Sequence, residues 1–145
     1  MAKPPGRATR ALMRLMMRFE AGRFRRSGGK ARGPGKNPQL LLTTVGRKSG
    51  QPRTVPLFYV ADGDRLVVIA SYGGSDSHPA WWLNLRANGR GTVELDGESF
   101  IVTPTVLEGE ERDRCWRQMT QFWPSYDTYA TKTDRQIPVV ALAKA

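Results

Sequence analysis

Between Leu40 and Val60 the chain runs LLLTTVGRKSGQPRTVPLFYV. Its centre, Gly46-Arg47-Lys48-Ser49-Gly50-Gln51-Pro52-Arg53, sets three cations, a hydroxyl and two glycines between two strand-like runs. A plain hairpin needs only two turn residues such as Asn-Gly. Gly46 and Gly50 permit positive φ and a close backbone approach, and Ser49 adds a donor. With Arg47, Lys48 and Arg53 they make a concavity suited to phosphate or carboxylates. The spacing is not that of a Walker loop, and no Gly-x-Gly-x-x-Gly joins a strand to a helix, which argues against both nucleotide-binding designs.

A second donor-rich stretch is ASYGGSDSHPAWWLNLRANG. Gly73-Gly74 follows a strand-like run and lies just before a helix that begins near Pro79, where the first backbone N–H groups lack partners within the helix. Trp81 and Trp82 on that helix are core residues by default. Next to two donor-rich loops, they also suit a ligand with an anionic tail and a flat aromatic head. Nucleophilic and metal chemistry have little to work with. Cys115 is the only cysteine and His78 the only histidine, so no internal disulfide, local Cys-His pair or zinc set is expected. The cysteine usage also fits a reducing, cytoplasmic compartment.

Most of the elements that must hold these residues are β. Leu40–Val45 is apolar and β-branched, Arg53–Val60 alternates, and Arg65–Ser71 is continuous enough for a central strand. Asp62-Gly63-Asp64 makes a turn, and Thr92–Asp96 and Glu98–Thr105 flank Gly97 as a hairpin with an Asp-Gly turn. Five strands joined by short turns predict an antiparallel sheet closing into a small barrel. The first of two helices starts with Ser77 or His78 as cap and Pro79 in its first turn, and stops at Asn88-Gly89. The second runs from about Glu108, with Cys115, Met119 and Phe122 as its apolar stripe, to Pro124. Beyond it Trp123, Tyr126 and Tyr129 recur at i, i+3 and i+6, which aligns them along one helical wall.

The net charge of +10 suggests nucleic acid until its position is noted. Residues 1–36 carry eleven of the 23 Lys and Arg and only one acid, Glu20, so residues 37–145 are neutral overall. No nucleic-acid partner is expected. From Ala8 to Phe19, apolar Ala8, Leu12, Leu15, Met16 and Phe19 form one helical stripe, and Arg7, Arg10, Arg14, Arg18 and Arg25 gather opposite. Such a helix either packs its stripe on the body or lies on an anionic membrane surface, peripheral on the inner face of the cell membrane. Ser27 to Pro38 is rich in Gly, Pro and Lys and is expected to be a linker. The predicted organisation is therefore a basic arm and linker over 1–38 and a β-barrel domain over 39–145.

The paired motifs Gly-Arg-Lys-Ser-Gly-x-x-Arg and His-Pro-x-Trp-x-x-Asn-Leu, with the sequence around them from about Leu40 to Glu98, resemble the deazaflavin-dependent nitroreductase and quinone reductase family of actinobacteria. The resemblance implies a mainly β fold with flanking helices, an antiparallel split β-barrel like that of FMN-binding relatives. It also implies coenzyme F-420, an 8-hydroxy-5-deazaflavin whose tail carries a phosphodiester, a lactate and glutamates. By that resemblance Arg47, Lys48, Ser49, Gly50 and Arg53 would hold the tail. Pro56, Ala70, Ser71, Ala80 and Trp81 would edge or sandwich the ring, with Gly73 and Gly74 beside it and His78 and Asn84 fixing loop and helix.

The implied reaction is hydride transfer to a flat acceptor, a menaquinone-like quinone or a nitroaromatic, with protein groups supplying orientation and a proton. Ser71, Tyr126 and Tyr129 are the candidate donors, and Phe58, Tyr72 and Trp123 would complete the acceptor pocket. Members that reduce bicyclic nitro compounds carry tyrosines where Phe58 and Trp123 stand here, which favours a quinone. An FMN-binding reductase and a deazaflavin carrier without turnover are the alternative expectations.

Overall fold

The computed structural model describes residues 6–33 and 36–145. The first five residues of the arm and residues 34–35 of the expected linker lie outside the described residues. Helix α1 (Arg7–Arg26) leads to β1 (Gln39–Val45), β2 (Pro52–Phe58), β3 (Val60–Asp62) and β4 (Arg65–Ile69). A 3-10 turn at Tyr72–Gly74 precedes α2 (Ala80–Asn88), β5 (Gly91–Leu95) and β6 (Glu98–Val106). The chain ends with α3 (Gly109–Phe122), α4 (Ser125–Thr131) and β7 (Val139–Lys144).

The strands form one antiparallel sheet in the order β2-β1-β5-β6-β7-β4-β3. Two of its features differ from the sequence expectation of five strands. The run Arg53–Val60 breaks at Tyr59 into β2 and β3, so the chain turns from one edge of the sheet to the other. VVALAK at the C-terminus is β7, which inserts between β6 and β4 and joins the two halves (Val102↔Lys144, Leu66↔Leu142). Five apolar residues in a row, Val139 to Ala143, do not distinguish a strand from a buried helix end; the two open edges waiting for it do.

Alternation along the strands divides the molecule into two cores. Leu40, Leu42, Val68, Ala70, Val93, Val102, Val140 and Leu142 face the inside of the curl, which α2 closes with Trp81, Trp82 and Leu85. Val67, Ile69, Val139 and Ala141 face out and are covered by Cys115, Met119 and Tyr126 of α3 and α4. Arg65 donates to Asp62 (2.7 Å) and Glu111 (2.8 Å), and Arg114 to Asp62 (2.9 Å), which ties α3 to the β3–β4 turn. The Asp96-Gly97 hairpin forms as expected, with both residues at positive φ.

The arm differs from its expectation. Ala21 and Phe24, not the predicted stripe, pack on the body against Leu41, and Phe24 is 1% exposed. Arg25, still exposed, pairs with Glu94 on β5 (2.8 Å). The segment after α1 is also anchored, since Asp96 N–H donates to Gly29 O (3.0 Å) and Gln39 to Ala31 O (3.2 Å). Leu12, Leu15, Met16 and Phe19 are left 58–66% exposed on the N-terminal half of the helix.

Candidate active site

The β1–β2 hairpin carries the cationic loop, with Val45 opposite Pro52 and Thr44 opposite Arg53. Within the loop Gly46 N–H donates to Gln51 O and Gly50 N–H to Gly46 O, each 2.8 Å, and Gly50 sits at φ +68°. A Cβ on Gly46 would clash with Ser49 Oγ, so the loop closes tightly on its own hydroxyl. Helix α2 holds it from inside the curl. Buried Asn84 accepts from Arg47 N–H (3.1 Å) and from the Arg47 guanidinium (3.3 Å), and donates to Thr44 Oγ1 (3.2 Å). One turn on, Asn88 donates to Val45 O (2.8 Å). Asn84 and Asn88 share a face because i and i+4 do. Ser49 Oγ accepts from Gln51 N–H (3.2 Å). Lys48 and Arg53 are exposed and have no partner among the described residues.

At the other end of α2 lies the Ala70–Pro79 segment. Tyr72, Gly73 and Gly74 are all at positive φ (47°, 62° and 83°), which for tyrosine is a costly conformation of the kind that concentrates at functional sites. The bend is held by Arg135, a residue sequence reasoning missed. It donates to Ser75 O (2.7 Å), Ser71 O (2.7 Å), Ala70 O (3.3 Å) and His78 Nδ1 (3.1 Å). Thr133 adds a bond to Asp76 (2.8 Å). No local pattern marks Arg135 as more than a solvated charge. Neither Ser77 nor His78 caps α2; Pro79 occupies the cap position, and its ring has no group that could make a side-chain cap bond.

The aromatic residues come together in two groups rather than one wall. Phe58 meets Phe122 and Trp123 edge-on, at 6.0 and 5.2 Å between centroids. Tyr126 meets Tyr129 at 6.0 Å and Trp116 at 6.3 Å. Trp123 ends α3 while the tyrosines lie on α4, so the expected single helical stripe is broken at Pro124. Trp116 Nε1 donates to Asp127 (2.7 Å), which fixes α4 on α3. Tyr126 is 6% exposed. Burial, and secondarily Tyr129, push its phenol well above the ordinary range, so it remains protonated at neutral pH.

The structure thus joins Arg47, Lys48, Ser49, Gly50 and Arg53 with Asn84 in one corner. It joins Ser71, Tyr72, Gly73, Gly74 and His78 with Tyr129 in another, since Gly74 lies against the Tyr129 backbone. The expected ring-edge residues differ in exposure and in the face they occupy. Ala70 (0% exposed) and Trp81 (7%) belong to the inner core, and Ala80 is exposed at the start of α2. Pro56 alternates with Val55 and Leu57, which pack on that core, and so projects from the opposite face of β2. Thr44, Asn88, Thr133 and Arg135 complete the two corners through side-chain bonds that span 40 residues or more of chain.

A curled antiparallel half-barrel with a cationic hairpin corner and flanking aromatics belongs to the class of split-barrel flavin and deazaflavin reductases. The family model for the F-420H(2)-dependent quinone reductase matches residues 16–144. An F-420H(2)-dependent quinone reductase of Mycobacterium tuberculosis strain H37Rv is 35% identical over 134 residues, covering 89% of this chain and 90% of that protein. Among solved structures, an F-420-H2 dependent reductase is 40% identical with a TM-score of 0.65, over 72% of this chain and 93% of its own. A structure described as a domain-swapped dimer is 34% identical with a TM-score of 0.66, over 86% and 96%. The chain belongs to the F-420H(2)-dependent quinone reductase family; it is an oxidoreductase whose cofactor is coenzyme F-420. The donor set fits that cofactor, because unpaired Lys48 and Arg53 beside Arg47 are suited to a polyanionic tail.

Proposed function

We propose that the protein reduces a quinone of the menaquinone type, with the β1–β2 corner holding the coenzyme's anionic tail and the α4 tyrosines bordering the acceptor. The observation that carries this reading is the pair Lys48 and Arg53, cations left without protein partners on a loop that Asn84 and Asn88 hold rigid. When bound, reduced coenzyme F-420 supplies the hydride. The protein's part is to position and to provide a proton. Arg47, Ser49 and Gly50 shape the corner. The Tyr126 hydroxyl is the proposed proton donor to the reduced oxygen, with the Tyr129 ring against it and Ser71 as a further candidate. Phe58 and Trp123 offer an apolar border without the hydroxyls that tyrosines at those positions would add, and Tyr72 borders it from the bend.

Oxidation of reduced coenzyme by menadione, followed by absorbance, tests turnover directly, and parallel titration with FMN separates the flavin alternative. Binding without oxidation would leave only a carrier. Tyr126→Phe should lower kcat by about 10²-fold, the scale of general acid catalysis, with coenzyme affinity nearly unchanged. A wild-type kcat would remove Tyr126 from the reaction.

Helix α1 adds a proposed membrane contact. Leu12, Leu15, Met16 and Phe19 form an exposed apolar stripe flanked by arginines, a pattern suited to the surface of an anionic bilayer and to a lipid-borne quinone. Among the described residues no helix is long and apolar enough to cross a membrane, so the contact would be peripheral. The full chain should sediment with anionic vesicles. A variant with those four residues changed to serine should stay in the supernatant, and equal sedimentation of both would discard the contact.

A further inference from the structure

Arg135 lies between α4 and β7, outside both sequence motifs, and is only partly exposed. All its donors but one are aimed at a single bend: Nε at Ser75 O, Nη2 at Ser71 O, and Nη1 at Ala70 O and His78 Nδ1. A guanidinium has no acceptor and keeps its proton. The His78 Nδ1 must therefore be the acceptor in this contact, and the neutral ring carries its proton on Nε2. That N–H has no partner among the described residues. Three of the four contacts are to backbone oxygens, so Arg135 adds to the bend's own bonds, Gly74 N–H to Ser71 O (2.9 Å) and Ser75 N–H to Tyr72 O (3.1 Å), in fixing its shape. The Tyr129 backbone against Gly74 and the Thr133 bond to Asp76 hold the same segment.

We propose that Arg135 is a positioning residue of the site: it holds the Ala70–Ser75 bend against α4 and sets His78 as a neutral imidazole whose Nε2–H is offered to an acceptor oxygen of the bound molecule. The offer of that donor rests on the bend being part of the coenzyme site; the positioning does not. The charged groups around the ring agree with it. Burial first, then Arg135 and then Arg86, hold His78 below its ordinary titration range, while the nearby Asp76 is engaged by Thr133.

His78 is the only histidine, so its ring nitrogens can be followed without ambiguity by long-range 1H–15N correlation on the full-length protein. The wild type should show the Nε2–H tautomer and titrate below 6.5. Arg135→Gln should give a mixed tautomer population and a titration point moved up toward 6.5, with a KM for reduced coenzyme raised about tenfold, or roughly 1.4 kcal/mol, and a smaller change in kcat. Arg135→Lys, which keeps the charge but not the fork, should hold the low titration point while losing the single tautomer, and it serves as the test if the glutamine variant does not fold. An unchanged tautomer and titration in both variants would overturn the proposal. The spectra decide it without coenzyme, so an inactive wild type with the expected tautomer would count against the proposed reaction and not against the positioning.

Discussion

Lys48→Ala and Arg53→Ala combined should weaken coenzyme F-420 binding at least tenfold. Charge-assisted hydrogen bonds contribute about 1.5–3 kcal/mol each when well formed. Both side chains are exposed, so solvent screening reduces each to about 0.7 kcal/mol or more, and two such losses amount to about 1.4 kcal/mol, one decade in Kd. Neither residue takes part in the hydrogen bonds that shape the loop, which are made by Gly46, Gly50, Ser49 and Asn84. The double variant should therefore keep the wild-type fold and Tm. Wild-type affinity should fall steeply as salt rises from about 0.01 to 0.15 M, where the screening length shrinks from about 30 to 8 Å. The variant should show a shallower slope. Fluorescence titration at two salt concentrations measures both effects, and equal affinities would place the tail elsewhere.

The second large effect is expected at Gly74. A Cβ there would lie 2.7 Å from Tyr129 O and 3.0 Å from Tyr129 Cα, both backbone atoms, and the residue is at φ +83°. The backbone of α4 cannot give way as a flexible side chain would. Gly74→Ala should therefore destabilise by about 3 kcal/mol or more, from strained φ plus overpacking, and lower Tm by about 6 °C or more for a chain of this size. Gly73→Ala is the internal control. It shares the positive φ of 62° but has nothing within 4 Å of the added carbon, so only the conformational cost of about 1–2 kcal/mol applies. Equal melting curves for the two variants would mean that α4 does not bear on the bend. Turnover should fall with Gly74→Ala beyond its effect on stability at 25 °C, because α4 carries both tyrosines of the proposed acceptor border.

The two effects bear on different ends of α2. The bend runs into the first turn of α2, and the corner is held from the middle and the end of this nine-residue helix, which is about 14 Å long. The corner is tied to the helix by Asn84 and Asn88, and the bend is tied to α4 and the Arg135 segment. The arrangement explains why His78 and Asn84, six residues apart, have separate duties: one belongs to the bend, the other to the loop.

Much of this was legible in the sequence wherever a feature is local. The hairpin around GRKSGQPR, the Asp96-Gly97 turn, the stop of α2 at Gly89 and the apolar stripe of α3 each depend on residues within about four positions of one another, and all four are present. The motif resemblance likewise carried the split barrel, the cofactor and the family, because it rests on contiguous residues. What tertiary structure alone decided is whatever joins distant segments. β7 became a strand because two sheet edges needed it, although its apolar run has no strand period of its own. Trp81 went to the core because the curl of the sheet had to be closed, and Pro56 to the other face because β2 alternates around a core that the sequence does not locate. The exposed stripe of α1 was visible, but which stripe would dock was settled by Phe24 reaching Leu41. Arg135 reaches its partners across 57 to 65 residues of chain, and no periodicity extends that far: a side chain's partners at such range are set by how the whole sheet curls, and only the folded chain specifies that.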